Sequence, residues 1–409
     1  MAKEYKDLVV GLDIGTAKVM VVVAEVLPGG ELKLAGLGVA PSNGIKRGVV
    51  VNIDATVASI QQALREAELM ADCKITRVYT GITGSHIRGI NSSGMVAVKD
   101  REVTQADVSR VVETAKAINI SSDQKLLLVE PQEFIIDGQD VKEPIGMSGI
   151  RLEAKVHIVT GAQSAAENII KCVRRCGLEV ELLMLNPLAS SLSVLTEDER
   201  ELGVAMVDIG AGTTDIAIFT NGAIRHTAVI PIAGDLITSD IAMALRTPTK
   251  DAEDIKVESG HAKQLLVNPE TQLEVPGLGD RGPRLLSRQA LSGVIEPRIE
   301  EIFSLVNQVI RESGCEEVLS SGIVLTGGSC IMPGMVELAE DIFLKPVRRG
   351  VPKYSSALAD MVAQPRAATV MGLLEEARLA RMRGFRVSQK AGSMKTALGQ
   401  VKDWFVGNF

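Results

Sequence analysis

The sequence predicts a two-lobed α/β protein with an inserted small α+β subdomain, and three observations carry that prediction. The chain has 409 residues, more than the roughly 250–300 at which a single hydrophobic core stops growing. Leu12-Asp13-Ile14-Gly15 reappears 195 residues later as Val207-Asp208-Ile209-Gly210, each copy after an apolar strand and before a polar turn and another apolar strand. A hairpin unit used twice at that distance reads as two related lobes. Residues 84–160 then break the surrounding pattern with short strands around a single helix.

In chain order, residues 8–27 form the first hairpin. Ala55 to Ala71 has the apolar spacing of a helix, and Ile75 to Ile82 reads as a strand. The insert holds strands at Gly94–Lys99, Lys125–Ile136 and Leu152–Thr160 and a helix, Gln105–Ile118, capped by Thr104. A helix (Ser164–Cys176), a strand (Glu179–Leu185) and a helix (Pro187–Leu195) lead back across the core. After the second hairpin come helices at Ala233–Ala244, Asp251–His261 and Ser292–Ser313. They are followed by a strand at Ile323–Leu325, a helix starting at Pro333, and a closing helix at Arg366–Arg381. The expected division is 1–83, 161–195 and 366–382 for the first lobe core, 84–160 for the insert, 196–229 and 302–365 for the second lobe core, and 230–301 for an outer subdomain. A linker at 383–393 and a terminal helix at 394–409 complete it.

Composition excludes several classes. With 46% apolar and 3% aromatic residues, the cores are aliphatic and disorder is not expected. No stretch reaches the roughly 20 apolar residues of a spanning helix, and Met1 to Asp7 is charged, so a cytosolic protein is expected. Five cysteines without paired CxxC spacing point to buried thiols, not disulfides or zinc. The four histidines sit in unrelated contexts, and no G-x-S-x-G is present. Gly277-Leu278-Gly279-Asp280-Arg281-Gly282 matches G-x-G-x-x-G but lacks the strand before and the helix after it, so it reads as a loop. The net charge of −7 divides into a −13 body and a +6 tail from Ala377 onward, which disfavours nucleic acid and suits anionic lipid or an acidic partner.

Three segments carry chemistry. In Gly11-Leu12-Asp13-Ile14-Gly15-Thr16-Ala17-Lys18, a carboxylate at a strand end can hold hydrated Mg²⁺ while Gly15, Thr16 and Lys18 grip phosphate oxygens. Asp208-Ile209-Gly210-Ala211-Gly212-Thr213-Thr214-Asp215 offers a second turn of the same design, with Asp208 the matching metal carboxylate. Thr326-Gly327-Gly328-Ser329, between a strand and a helix, brings backbone against a nucleoside.

In this order the three segments resemble the phosphate 1, phosphate 2 and adenosine motifs of the actin, Hsp70 and sugar-kinase superfamily. Within it, the GLDIGT opening, the VDIGAGTTD segment, the length and the basic tail are most similar to the bacterial cell-division family FtsA. The resemblance implies an actin-like (ribonuclease H-like) ATPase fold whose two lobes each hold a five-stranded sheet, with ATP and Mg²⁺ in the cleft between them. It further implies that Glu253 and Lys256 serve the adenosine and that Gly234 lies near the β- and γ-phosphates. Where the superfamily places Glu or Gln to orient the attacking water, this chain has Asn186, a weak water-positioner and no general base, so at most slow hydrolysis is expected. The resemblance implies polymerisation through the insert and peripheral attachment to the cytoplasmic face of the inner membrane at the septum. Its implied partners are the C-terminal peptide of FtsZ, through the outer subdomain and Arg298, and downstream division proteins. A sugar-kinase-like phosphotransferase and a pilus-assembly actin-like protein are the alternatives.

The tail supports the membrane reading from its own residues. Met394, Leu398, Val401 and Phe405 fall on one stripe of a helix, with Trp404 at its flank and Lys395 and Lys402 off it. Arg378, Arg381, Arg383, Arg386 and Lys390 stand ahead of that helix as further attraction for anionic lipid.

Overall fold

The computed structural model describes residues 7–279, 282–354 and 358–384. The first lobe opens with β1 (Leu8–Ile14), β2 (Lys18–Val26) and β3 (Leu32–Pro41), followed by a short hairpin of β4 (Ile45–Lys46) and β5 (Val49–Val50), α1 (Ile53–Ala71) and β6 (Arg77–Ile82). The insert contains β7 (Arg88–Ala97), α2 (Gln105–Lys116), β8 (Gln124–Ile136), β9 (Gln139–Val141) and β10 (Arg151–Ala162). The chain then returns through α3 (Gln163–Arg175) and β11 (Glu179–Leu185) and crosses on α4 (Asn186–Val194) and α5 (Glu197–Leu202). The second lobe starts with β12 (Val204–Ile209), β13 (Thr214–Thr220) and β14 (Ala223–Ile230). It continues through α6 (Gly234–Leu245), α7 (Thr249–Ser259), β15 (Gln272–Val275), β16 (Arg284–Ser287) and α8 (Arg288–Glu312). It ends with β17 (Ile323–Thr326), α9 (Met335–Phe343), β18 (Val347–Arg349) and α10 (Ala359–Val362), before α11 (Ala368–Met382) closes the described chain.

The internal repeat is a repeat of topology. One sheet runs β11-β6-β1-β2-β3 and the other β18-β17-β12-β13-β14. In both, the central strand pairs antiparallel with the next strand and parallel with a later one. Asp13 and Asp208 therefore occupy the same place, the penultimate residue of a central strand whose neighbours on both sides bury it. β1, β2, β12, β13 and β17 are almost wholly buried runs, as the middle of a sheet covered on both faces requires.

The insert has its own four-stranded sheet, β7-β10-β8-β9, and its own core between α2 and β10, built on Val108, Val111, Leu152 and Ala154. Thr104 caps α2 by accepting from the Asp107 amide, and the Asp107 carboxylate accepts from the Thr104 amide in return.

Several boundaries differ from the sequence reading. The strand expected at Gly94 starts at Arg88, because exposed polar positions on the outer face hid its alternation. The helix expected from Ser292 starts at Arg288, where the Ser287 hydroxyl accepts from the Ala290 amide as the cap. α8 runs through the expected 301/302 boundary, and one core joins the second sheet to α6 and α8, so residues 230–301 share the lobe's core. Cys172 and Cys330 are buried, whereas Cys73, Cys176 and Cys315 are partly exposed, and none of the five forms a disulfide. Of the expected linker only Arg383 and Gly384 are described. The terminal helix with Met394, Lys395, Leu398, Val401, Lys402, Trp404 and Phe405 lies outside the described residues. Three of the basic residues ahead of it are engaged on the body: Arg378 with Glu375, Arg383 with Glu376, and Arg381 with Asp7.

The crossing helix α4 is clamped by α11. A methyl placed on Gly372 would lie 1.6 Å from the Ala189 carbonyl oxygen, so the two backbones touch with no side chain between them. Gly372→Ala is expected to lower unfolding stability by about 3 kcal/mol through overpacking, read from the urea midpoint at unchanged slope.

Candidate functional site in the cleft between the lobes

The turn after β1 closes by a Gly15 amide bond to the Lys18 carbonyl (3.0 Å), and the turn after β12 repeats it from Gly210 to Thr213 (2.9 Å). The identical closure aims both turns into the same cleft. They meet across it: a methyl on Gly212 would lie 2.6 Å from the Thr16 hydroxyl, which within the first lobe accepts from the Gly48 amide (3.1 Å).

Buried carboxylates dominate the electrostatics. Burial pushes Asp13 up to about 6, with Lys18 opposing the rise and Asp208 adding to it. Asp208 is likewise raised by burial, although it accepts from the Ser190 hydroxyl at 2.6 Å. Lys18 is lowered by burial against the pull of Asp13, and its ammonium donates to the Arg366 carbonyl. Two carboxylates, one from each lobe, thus share the field of one lysine.

The third segment closes the site from the second lobe. Gly327 has a φ of +89°, and a side chain there would strike the Asp208 carboxylate at 2.4 Å, so only glycine serves. The Ser329 hydroxyl donates to the Gly210 carbonyl at 2.7 Å. Gly234, the first residue of α6, donates its amide to the same carbonyl at 3.2 Å, and a methyl on it would lie 2.4 Å from the Ser329 hydroxyl oxygen. Gly328 follows in the same turn, beside Arg366. On α7, buried Lys256 donates to Glu253 (2.6 Å), Thr238 (2.7 Å) and the Gly234 carbonyl (3.2 Å), which fixes α7 to the start of α6.

Hydrogen bonds and close backbone approaches thus connect the three turn segments with Gly234, Glu253 and Lys256, while three other expected residues sit differently. The Thr214 hydroxyl points away and donates to the Ile232 carbonyl (2.8 Å), pinning the turn before α6. Asn186 opens α4 beside Gly81; its buried amide oxygen has no partner, and a methyl on Gly81 would lie 2.0 Å from it. Arg298 lies in the middle of α8, far from a helix start, and its guanidinium is held by Asp240 (2.6 and 3.1 Å) and by Glu301. Its expected role in partner binding would require giving up that fork.

Two residues of the site escaped the sequence reading. Asp215 ends the second turn with both carboxylate oxygens occupied, one by Thr83 of the first lobe and one by Thr213 at 3.1 Å. Burial, with Asp208 adding, pushes Asp215 up to about 7. Thr83 carried no motif, and only the fold places it opposite Asp215.

The unfolded chain releases the Asp215 proton near pH 4, whereas the fold retains it to about pH 7. The favourable contribution is full below pH 4 and is lost as pH rises between those values. Asp215→Asn removes this titration, so its stability relative to wild type is expected to climb by on the order of 3 kcal/mol from pH 4 to pH 8. Urea unfolding across that range, without nucleotide, checks the slope.

Comparison with known proteins agrees with this architecture. The family model "Cell division protein FtsA" matches residues 205–372, and the model "SHS2 domain inserted in FTSA" matches residues 84–160. The cell division protein FtsA of Pseudomonas aeruginosa is 54% identical over 98% of both chains. The PilM–PilN type IV pilus biogenesis complex aligns with a TM-score of 0.65 at 17% identity, covering 90% of this chain and 98% of that one. MreB5 of Spiroplasma citri bound to ADP aligns with a TM-score of 0.56 at 15% identity, covering 92% and 98%. The fold is the actin-like one with an SHS2 insert, and the chain belongs to the FtsA family of cell-division proteins.

Proposed function

We propose that this cell-division protein binds ATP with Mg²⁺ between its lobes and acts as a membrane-held, self-assembling anchor for the FtsZ ring. The observation that carries the nucleotide reading is the convergence of Asp13, Lys18 and Asp208 with the three glycine turns. Two raised carboxylates beside one lysine are a donor set short of positive charge, which suits a hydrated divalent cation. Turns where a methyl would collide suit close approach of phosphate and nucleoside. A related fold, MreB5, is known bound to ADP and to AMPPNP.

In this reading Asp13 and Asp208 would hold a hydrated Mg²⁺. Gly15, Thr16 and Lys18 face phosphate from the first lobe, and Gly210, Gly212 and Thr213 face it from the second. Gly327, Gly328, Ser329, Glu253 and Lys256 frame the nucleoside, and Gly234 sits at the phosphate end. When bound, Mg²⁺ would neutralise phosphate charge and screen the two carboxylates from each other. Asn186 can orient a water but cannot take its proton, and Asp215 already accepts hydroxyls at both oxygens. Turnover is therefore slow, and the nucleotide works by setting the angle between the lobes.

Among the described residues no helix is long and apolar enough to cross a membrane. Attachment is assigned to residues 394–409 by their apolar stripe, Trp404 and basic charge. The acidic body stands against nucleic acid as a partner. Membership of the FtsA family supports the FtsZ C-terminal peptide, other division proteins and further copies of the chain as partners.

Co-sedimentation with vesicles tests the anchor. With ATP and Mg²⁺ present, the intact chain is expected to pellet with anionic vesicles at low salt, and a chain ending at Gly392 to stay in the supernatant. Equal pelleting of the two chains contradicts the assignment. Turnover measured alongside is expected to stay below about 1 per second, with no stimulation by small sugars.

A further inference from the structure

The insert leaves the first lobe after β6 and returns to it through α3, and its base is rooted in that lobe's core through Ile87 and Val159. Its far contacts are on the other lobe. β14 is an edge of the second sheet, pairing with β13 alone, so its outward backbone carbonyls need partners. The insert provides them. The Gln132 amide donates to the Ile224 carbonyl (2.8 Å), and the Asn91 amide to the Arg225 carbonyl (3.2 Å).

Side chains complete the junction. The Arg225 guanidinium meets Glu133 at 2.5 Å with both groups largely shielded, and Lys155 holds the same carboxylate at 2.9 Å. Buried His157 bridges Asn91 (2.6 Å) and the Thr227 hydroxyl of β14 (2.9 Å). The insert's own core is a cluster separate from the core of the second lobe. An element whose base alone enters the core of one lobe, and whose named bonds to the other lobe are polar, can be released from the second without being unfolded; Val229 of β14, which packs on the first lobe's core, is the apolar contact beside them. The junction also lies close to the cleft: Thr83, just before the insert begins, bonds to Asp215.

We propose that the insert is a strap across the cleft: it is fixed to the first lobe and docked on the β14 edge of the second, so the lobes separate only when Glu133–Arg225, Gln132–Ile224 and His157–Thr227 part. Cleft opening and insert release are then one event, and whatever occupies the cleft determines how long the strap stays docked. This inference rests on the nucleotide reading for its consequence and on the junction alone for its existence, so two experiments separate them.

The existence test is a cross-link. A methyl on Gly89 would lie 2.8 Å from the Thr227 hydroxyl oxygen, close to the spacing from one cysteine Cβ to the other cysteine's sulfur in a disulfide. The double variant Gly89→Cys/Thr227→Cys, mildly oxidised in the full chain, is expected to form an internal disulfide that wild type, with its five native cysteines, does not. Failure of that bond to form in folded protein overturns docking. The consequence test is release of a fluorescent ATP analogue chased with excess ATP. Arg225→Glu is expected to speed release at least fivefold, Glu133→Arg with Arg225→Glu to slow it again only in part, because Lys155 then faces a cation in place of Glu133, and the cross-linked chain to release at least fivefold more slowly than the same chain reduced. Unchanged release in a folded Arg225→Glu variant overturns the strap. If wild type binds no analogue, the nucleotide reading falls, and the cross-link alone decides whether the insert is docked.

Discussion

Asp13 and Asp208 are the constraint on which the arrangement depends. Each is the penultimate residue of a buried central strand, one in each lobe, and burial holds each above the ordinary carboxylate range by stripping water from its charged form. Lys18 serves both, and burial weakens its own charge. On this feature the proposed binding of a cation rests. The glycine turns leave space beside that charge, and the repeat of one sheet topology in both lobes brings the two carboxylates face to face.

From that centre the lobes are joined in layers. Thr16 and Gly48 meet the second turn, Thr83 meets Asp215, and the insert reaches over to β14. Behind them α4 and α11 lie in direct backbone contact at Gly372, so the crossing is rigid while the contacts on the cleft side are polar and separable. Rigid backing with a polar front is the layout of a hinge. A ligand bound at the front shifts the lobe angle only to the extent that it binds one angle better than another.

Much of this was legible in the sequence where chemistry is local. The repeated Asp-Ile-Gly predicted two related lobes, because a turn's backbone needs are written in its own residues, whereas the cleft between them was implied by the family resemblance. Long-range partners were not legible. Thr83 and Asp215 meet across 132 positions; Asp215 closes a recognisable turn, but no local pattern marks Thr83 or their pairing. Arg298 reads as a free cation in sequence, but α6 brings Asp240 against it. Arg378, Arg381 and Arg383 count as free positive charge until the fold pairs them with Glu375, Asp7 and Glu376. The β14 edge and its cover from the insert likewise emerge only when segments 70 and 92 residues apart are placed side by side.

The most direct test of a charge-starved cleft is thermal unfolding of the full chain at pH 7.5 with ATP alone, Mg²⁺ alone and both together. Tight binding to the folded state raises the midpoint by mass action. The account predicts a large upward shift only with both, and little with ATP alone, because the phosphates would then add to the charge of Asp13 and Asp208. An equal shift with ATP alone, or no shift with the pair, would contradict it.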